Sequence, residues 1–157
     1  MSDVSMRNFD VPSYDGDLEK TQGIPKGADE LRRRLTGCDA FIVSSPEYNG
    51  AMPGAFKNLI DWTSRFRPQP FDTRHGLLLS ASPSMVGGDR GFWALRMPLE
   101  HLGARIYPDM FSLAQARKAV TQEGQEGQRA RQGQRRSTAD QLAAETRKFI
   151  VFFLRHR

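Results

Sequence analysis

Hydrophobic positions along the chain fall into short continuous runs and helical repeats, separated by segments rich in glycine and proline. This is the pattern of strands alternating with helices. It is densest at residues 41–62, FIVSSPEYNGAMPGAFKNLIDW. Phe41, Ile42 and Val43 form an apolar run of the kind buried on both faces of a parallel sheet. Residues 44–54 carry Pro46, Pro53, Gly50, Gly54 and Asn49, so neither helix nor strand continues through them. A helix is predicted from Pro53 or Gly54, because Phe56, Leu59, Ile60 and Thr63 recur at i, i+3, i+4 and i+7 and make one buried face. The strand–loop–helix order then repeats. Residues 75–82 (HGLLLSAS) predict a second buried strand and residues 83–88 (PSMVGG) a glycine-rich loop. Residues 90–102 predict a helix with Phe92, Leu95, Leu99 and Leu102 as its apolar set and Pro98 as a kink.

The flanking segments complete an α/β chain with a parallel sheet. Residues 1–6 read as the frayed end of a strand, 7–17 as a loop punctuated by Pro12 and Gly16, and 18–26 as a polar connection. Residues 28–35 predict a basic amphipathic helix with Leu31 and Leu35 on its apolar side, stopping at Gly37. Residues 121–136 (TQEGQEGQRARQGQRR) hold a single apolar side chain, Ala130, and read as a flexible low-complexity insertion. Residues 137–156 predict a C-terminal helix, capped by Ser137 with Asp140 in a capping-box position, whose apolar content is Leu142, Phe149, Phe152 and Phe153. Residues 1–157 thus form one domain.

Composition narrows the function classes. With 38% hydrophobic and 26% charged residues in 157, the chain suits one soluble globular domain. Of the net charge of +5, Arg129, Arg131, Arg135 and Arg136 carry +4. The globular part is therefore close to neutral and is not a nucleic-acid-binding surface. Cys38 is the single cysteine, which excludes an internal disulfide and suits a reducing cytoplasm. No apolar run approaches the length of a membrane span, and the N-terminus carries no apolar signal segment. His101 has no second histidine or cysteine at ligand spacing, so no metal site is expected.

Candidate chemistry lies in the two loops. A strand that ends in a loop before a helix is where α/β sheets take ligands, in the crevice beyond the strands' carboxyl ends. Asn49 and Gly50 tolerate positive φ, which turns backbone N–H groups into such a crevice. Glu47, Tyr48 and Asn49 offer an acceptor, a flat aromatic surface and an amide, a set that suits a planar heterocycle with a polar edge. The residue types by themselves leave a plain strand–helix connection open.

The run Ser45 to Gly50 (SPEYNG), followed by Pro53, Gly54, Lys57, Asn58, Asp61 and Trp62, resembles the signature of the NADPH-dependent FMN reductase family. That family is flavodoxin-like and includes flavin, quinone, azo-dye and chromate reductases. The resemblance spans residues 7–116 and implies a three-layer α/β/α fold, with residues 105–111 as its last strand, weakened by Pro108. It implies that Pro46, Glu47, Tyr48, Asn49 and Gly50, mostly through backbone groups, lie along the isoalloxazine ring of FMN. Ser82, Pro83, Ser84, Gly87 and Gly88 would approach the same ring from the second loop. NAD(P)H as co-substrate and a quinone, flavin, azo dye or metal oxyanion as small-molecule acceptor follow from the family. The cofactor carries the chemistry, so no side chain is assigned as catalytic acid or base. The resemblance further implies a homodimer or homotetramer, with Tyr14 or Asp15 near a partner's flavin and with Phe92 and Trp93 facing a partner, core burial being the competing reading for these two. Lys57 and Asp61 are assigned a structural role.

The match begins partway into the family pattern. The initial strand, serine-rich phosphate loop and helix have no counterpart in these residues, so the fold is expected to be N-terminally incomplete. The strand at residues 41–44 is then expected to lack a neighbour, and the FMN phosphate its main anchor. Two other readings follow: a truncated, non-catalytic relative acting through its dimer surface, and an interaction protein using the arginine-rich tail.

Overall fold

The computed structural model describes residues 2–116 and 150–154. β1 (Ser2–Ser5) leads through a single 3-10 turn and a loop into α1 (Gly16–Gln22) and α2 (Lys26–Thr36). β2 (Ala40–Ser44), α3 (Gly54–Thr63), β3 (His75–Ala81) and α4 (Asp89–His101) follow. β4 (Arg105–Ile106), β5 (Phe111–Leu113) and β6 (Ile150–Leu154) are the remaining described strands.

The predicted helical spacing holds. Phe56, Leu59, Ile60 and Thr63 are all buried on α3. Phe56, Leu59 and Ile60 share one cluster with Leu31 and Leu35 of α2, with Phe92, Leu95 and Leu99 of α4, and with Phe41, Val43, Leu78 and Ile106 of the sheet. Each such side chain contributes about 1.5–3 kcal/mol when fully buried. Phe92 is therefore a core residue, while Trp93 beside it is 63% exposed. Ile42, Leu77 and Leu79, on the opposite side by strand alternation, stand outside that cluster. Cys38 is buried behind α2, and that burial pushes its thiol pKa up, away from reactivity.

β2 and β3 pair in parallel from Ala40 with His75 to Ser44 with Leu79, and β3 runs on to Ala81, so their carboxyl ends lie at the same edge of the sheet and their outgoing loops are neighbours. The predicted strand at 105–111 is split. β4 pairs with the start of β3 and β5 with its end. Gly76 pairs with Ile106 and Leu79 with Phe111, so two extra residues are taken up around Pro108, which has no N–H for a ladder.

Residues 18–26 are not the polar connection expected. Most of them form α1, because the Asp15 side chain accepts from the N–H groups of Asp17 (2.7 Å) and Leu18 (3.2 Å) and Leu18 packs against the core. The loop before α1 is tied to α3. Trp62 Nε1 and Asn58 Nδ2 both donate to the Pro12 carbonyl at 2.8 Å, and Tyr14 N–H donates to Asn58 Oδ1 at 2.8 Å.

The largest departure concerns the strand beside β2. Its order is β1-β6-β2-β3-β4, with β5 also on β3. β6 runs antiparallel to both flanking strands, with Ile150 opposite Ser5 and Ser44, and Val151 opposite Val4 and Val43. Residues 150–154 are therefore strand, not part of a C-terminal helix, and β2 does not lack a neighbour on that side. The physical reason is in the run Ile-Val-Phe-Phe-Leu, whose β-branched and aromatic residues favour a pleated, paired strand over a helix. The insertion expected at 121–136 and the helix expected over 137–149 lie outside the described residues.

Candidate functional site

The first loop leaves β2 at Ser45, whose N–H donates to the Leu79 carbonyl of β3 at 2.9 Å. This bond extends the β2–β3 ladder by one step and fixes where the loop begins. Tyr48 and Ala51 then exchange both backbone hydrogen bonds, at 2.9 and 3.0 Å, across Asn49 and Gly50. Both turn residues have positive φ, 52° for Asn49 and 76° for Gly50, the signature of a type I′ turn. The turn holds the Tyr48 ring at the surface, 60% exposed, between half-buried Glu47 and exposed Asn49.

The second loop leaves β3 at Ser82, and β5 with the residues after it holds it in place. Ser82 N–H donates to Leu113 O (3.0 Å), Ala116 N–H to Ser82 O (3.0 Å) and Gln115 N–H to Ser84 O (2.9 Å). The Ser82 hydroxyl accepts from Ser84 N–H at 3.2 Å and bonds to the Ser84 hydroxyl at 3.0 Å. Gln115 also reaches the Met85 sulfur. Gly87 and Gly88 close the loop with φ of 69° and 98°. A side chain at Gly87 would strike the Ser112 hydroxyl, and one at Gly88 the Ser80 hydroxyl. The paired glycines are thus required twice, by backbone sign and by close seating on two strands. Met85 (76% exposed) and Val86 (42%) project from this loop, with Pro83 and Ser84 exposed before them.

The two loops meet at the start of α4. Its cap residue, Gly88, has no side chain to accept from the first N–H groups of the helix. Glu47 of the first loop supplies an acceptor: its Oε2 takes the Gly91 N–H at 3.0 Å. The Glu47 Cβ lies where a side chain on Gly91 or Gly88 would project, 3.2 and 3.8 Å from such an atom. Arg90 packs its Cδ over Gly50 of the turn.

The predicted site residues therefore occupy two adjoining walls at the carboxyl edge of β2 and β3. The structure brings Glu47 against Gly88, and Gly50 against the helix that follows Gly88. Pro46, Tyr48 and Asn49 belong to the first wall; Ser82, Pro83, Ser84 and Gly87 belong to the second. Sequence reasoning missed Arg90, Gly91, Ser80, Ser112 and Gln115. One signal for the missing acceptor was present. A helix entered through two glycines brings no capping side chain of its own at that position, so an acceptor from elsewhere is needed. Lys57 Nζ pairs with Asp61 at 2.6 Å along α3, and Asn58 and Trp62 hold the 12–14 loop, so these motif residues are structural. Tyr14 and Asp15 are likewise engaged. The Tyr14 hydroxyl donates to Glu19 at 2.8 Å and its ring stands edge-on to Trp62. The Arg65 guanidinium and the Tyr14 hydroxyl hold the Glu19 carboxyl below its usual pKa.

Two positive-φ turns, one exposed aromatic ring and the apolar side chains of Met85 and Val86 fit the flat faces of a flavin ring. The phosphate end is different. Anion sites form where a strand ends and a helix begins, whereas β6 starts rather than ends at this edge of the sheet. Among the described residues no group of histidine, cysteine, aspartate or glutamate side chains could hold a metal ion, and no helix is long and apolar enough to cross a membrane.

The model of the family described as NADPH-dependent FMN reductase matches residues 2–118. A quinone reductase of Escherichia coli (strain K12) is 35% identical over 97 residues, covering 62% of this chain and 52% of that protein. An NAD(P)H-dependent FMN reductase of Pseudomonas aeruginosa is 36% identical over 92 residues, covering 59% of this chain and 49% of that protein. The solved structure of FerB, a flavoenzyme NAD(P)H:(acceptor) oxidoreductase from Paracoccus denitrificans, superposes with a TM-score of 0.64 at 26% identity, covering 88% of this chain and 72% of that one. The chain spans about half the length of the curated relatives it matches.

Proposed function

The chain belongs to the NADPH-dependent FMN reductase family, and we propose that its two loops hold the isoalloxazine ring of FMN at the carboxyl edge of β2 and β3. The observation that carries this reading is the joining of the Asn49–Gly50 turn and the Gly87–Gly88 turn through Glu47 and the start of α4. Residues 46–50 would line one face of the ring with backbone groups and the Tyr48 ring. Residues 82–84, 87 and 88 would line the other edge, with Met85 and Val86 keeping water from the ring. With FMN bound, the chemistry supplied is transfer of electrons from NAD(P)H to a small-molecule acceptor. A quinone or flavin is proposed as that acceptor, with azo dyes and metal oxyanions as further candidates. No side chain of this chain is assigned a proton-transfer role. A cytoplasmic location and a pairing of copies through the exposed side of α4 complete the proposal.

The test is a titration of the purified chain with FMN, read by flavin fluorescence, followed by NAD(P)H oxidation with a quinone. Saturable binding with a changed flavin spectrum is the expected result. A flavin signal that stays that of free FMN at all protein concentrations would remove the reading.

A further inference from the structure

We infer that Glu47 is a positioning residue, whose carboxylate sets the distance between the two loops by capping α4 and does not contact the flavin ring. The inference rests on the ring-binding reading above and adds to it the way the crevice is held to size. Three observations converge. The Glu47 Oε2 accepts the Gly91 N–H at 3.0 Å, across 44 residues of sequence. Gly91 is buried, and its missing side chain leaves room for the Glu47 Cα and Cβ, which would stand 3.3 and 3.2 Å from an added Cβ. Gly88, the residue at the helix cap, offers no side-chain oxygen.

The physical logic is that of a missing cap supplied from elsewhere. The first N–H groups of a helix need acceptors, and an anion there is favoured by the aligned peptide dipoles. Here the acceptor is carried by the neighbouring loop. Capping the helix therefore also fixes the position of Tyr48, Asn49 and Gly50, which directly follow Glu47 in the chain. A carboxylate committed to α4 leaves the backbone of residues 46–50 and the Tyr48 ring to face the ligand.

The experiment compares the wild-type chain with E47A, E47Q and G91A. E47Q keeps a carbonyl oxygen at the same reach, E47A removes the acceptor, and G91A presses on Glu47 while retaining its carboxylate. In the absence of FMN, hydrogen exchange of the Gly91 amide is followed by NMR. It is expected to speed up by about tenfold or more in E47A and to stay within about threefold of wild type in E47Q. The FMN dissociation constant is expected to rise about tenfold in E47A, to be largely restored in E47Q, and to rise a few-fold in G91A without a fall in melting temperature. That last result separates positioning from plain stability. Equal Gly91 exchange in wild type and E47A would overturn the inference. So would equal losses of FMN affinity in E47A and E47Q, which would place the carboxylate charge on the ligand. If the wild-type chain binds no FMN, the ring-binding reading falls and the exchange rates alone decide whether Glu47 braces the loops.

Discussion

Single residues set the shape of the crevice more by what they leave out than by what they add. Gly88 has a left-handed backbone and sits on Ser80, a buried hydroxyl with no hydrogen-bond partner among the described residues. Replacing it with alanine adds about 1–2 kcal/mol of backbone strain and a collision with that hydroxyl. Gly88→Ala is therefore expected to destabilise the chain by about 2–4 kcal/mol in urea unfolding, and a change under about 0.5 kcal/mol would show that the turn is not held as described. The glycines were readable from the sequence as a turn after a strand, while a place beside a ligand was readable only through the family resemblance. Glu47 was readable as a polar loop residue and as part of a family motif, but its partner was not. A hydrogen bond from Glu47 to Gly91 depends on how two loops meet, which local spacing does not contain.

At the level of elements, local patterns identified β2, α2, α3, β3 and α4 because each has a clear period and a turn at its end. They failed where a weak local signal competed with tertiary pairing. Asp15 made a helix of a polar stretch by capping it. Residues 150–154 looked like the end of a helix because Ser137 and Asp140 suggest a helix start upstream, yet the five residues pair on both sides as a strand. Their environment, a slot between β1 and β2, is invisible in the sequence. Deleting residues 150–157 would leave two unpaired edges where the ladder now runs. This variant is expected to lose more than about 4 kcal/mol of stability and to elute as aggregates in size-exclusion chromatography. A monomeric, cooperatively unfolding product would show that β6 contributes little.

For the whole molecule, the outer side of α4 carries large exposed apolar side chains. Trp93 and Met97 are i, i+4 neighbours on it, 63% and 74% exposed, while Phe92 faces inward at 2%. Apolar side chains of this size are characteristic of the central part of an interface. The pairing of copies proposed above predicts that the double substitution Trp93→Glu and Met97→Glu raises the self-association constant for dissociation by about 100-fold or more, seen by sedimentation. An unchanged sedimentation profile would move the contact elsewhere. The sheet topology carries a consequence of another kind. The strand lodged between β1 and β2 is the last of the described strands to leave the ribosome. During synthesis the helices can close over β2 and β3, but β1 stays unjoined until residues 150–154 emerge and insert between them. Pairing across so much of the chain is slow, because the whole intervening length must be closed before the contacts repay it. In that interval the apolar edge of β2 is open to other nascent strands. Correct folding therefore depends on how quickly residues 150–154 reach their slot between β1 and β2, as well as on the stability of the finished sheet.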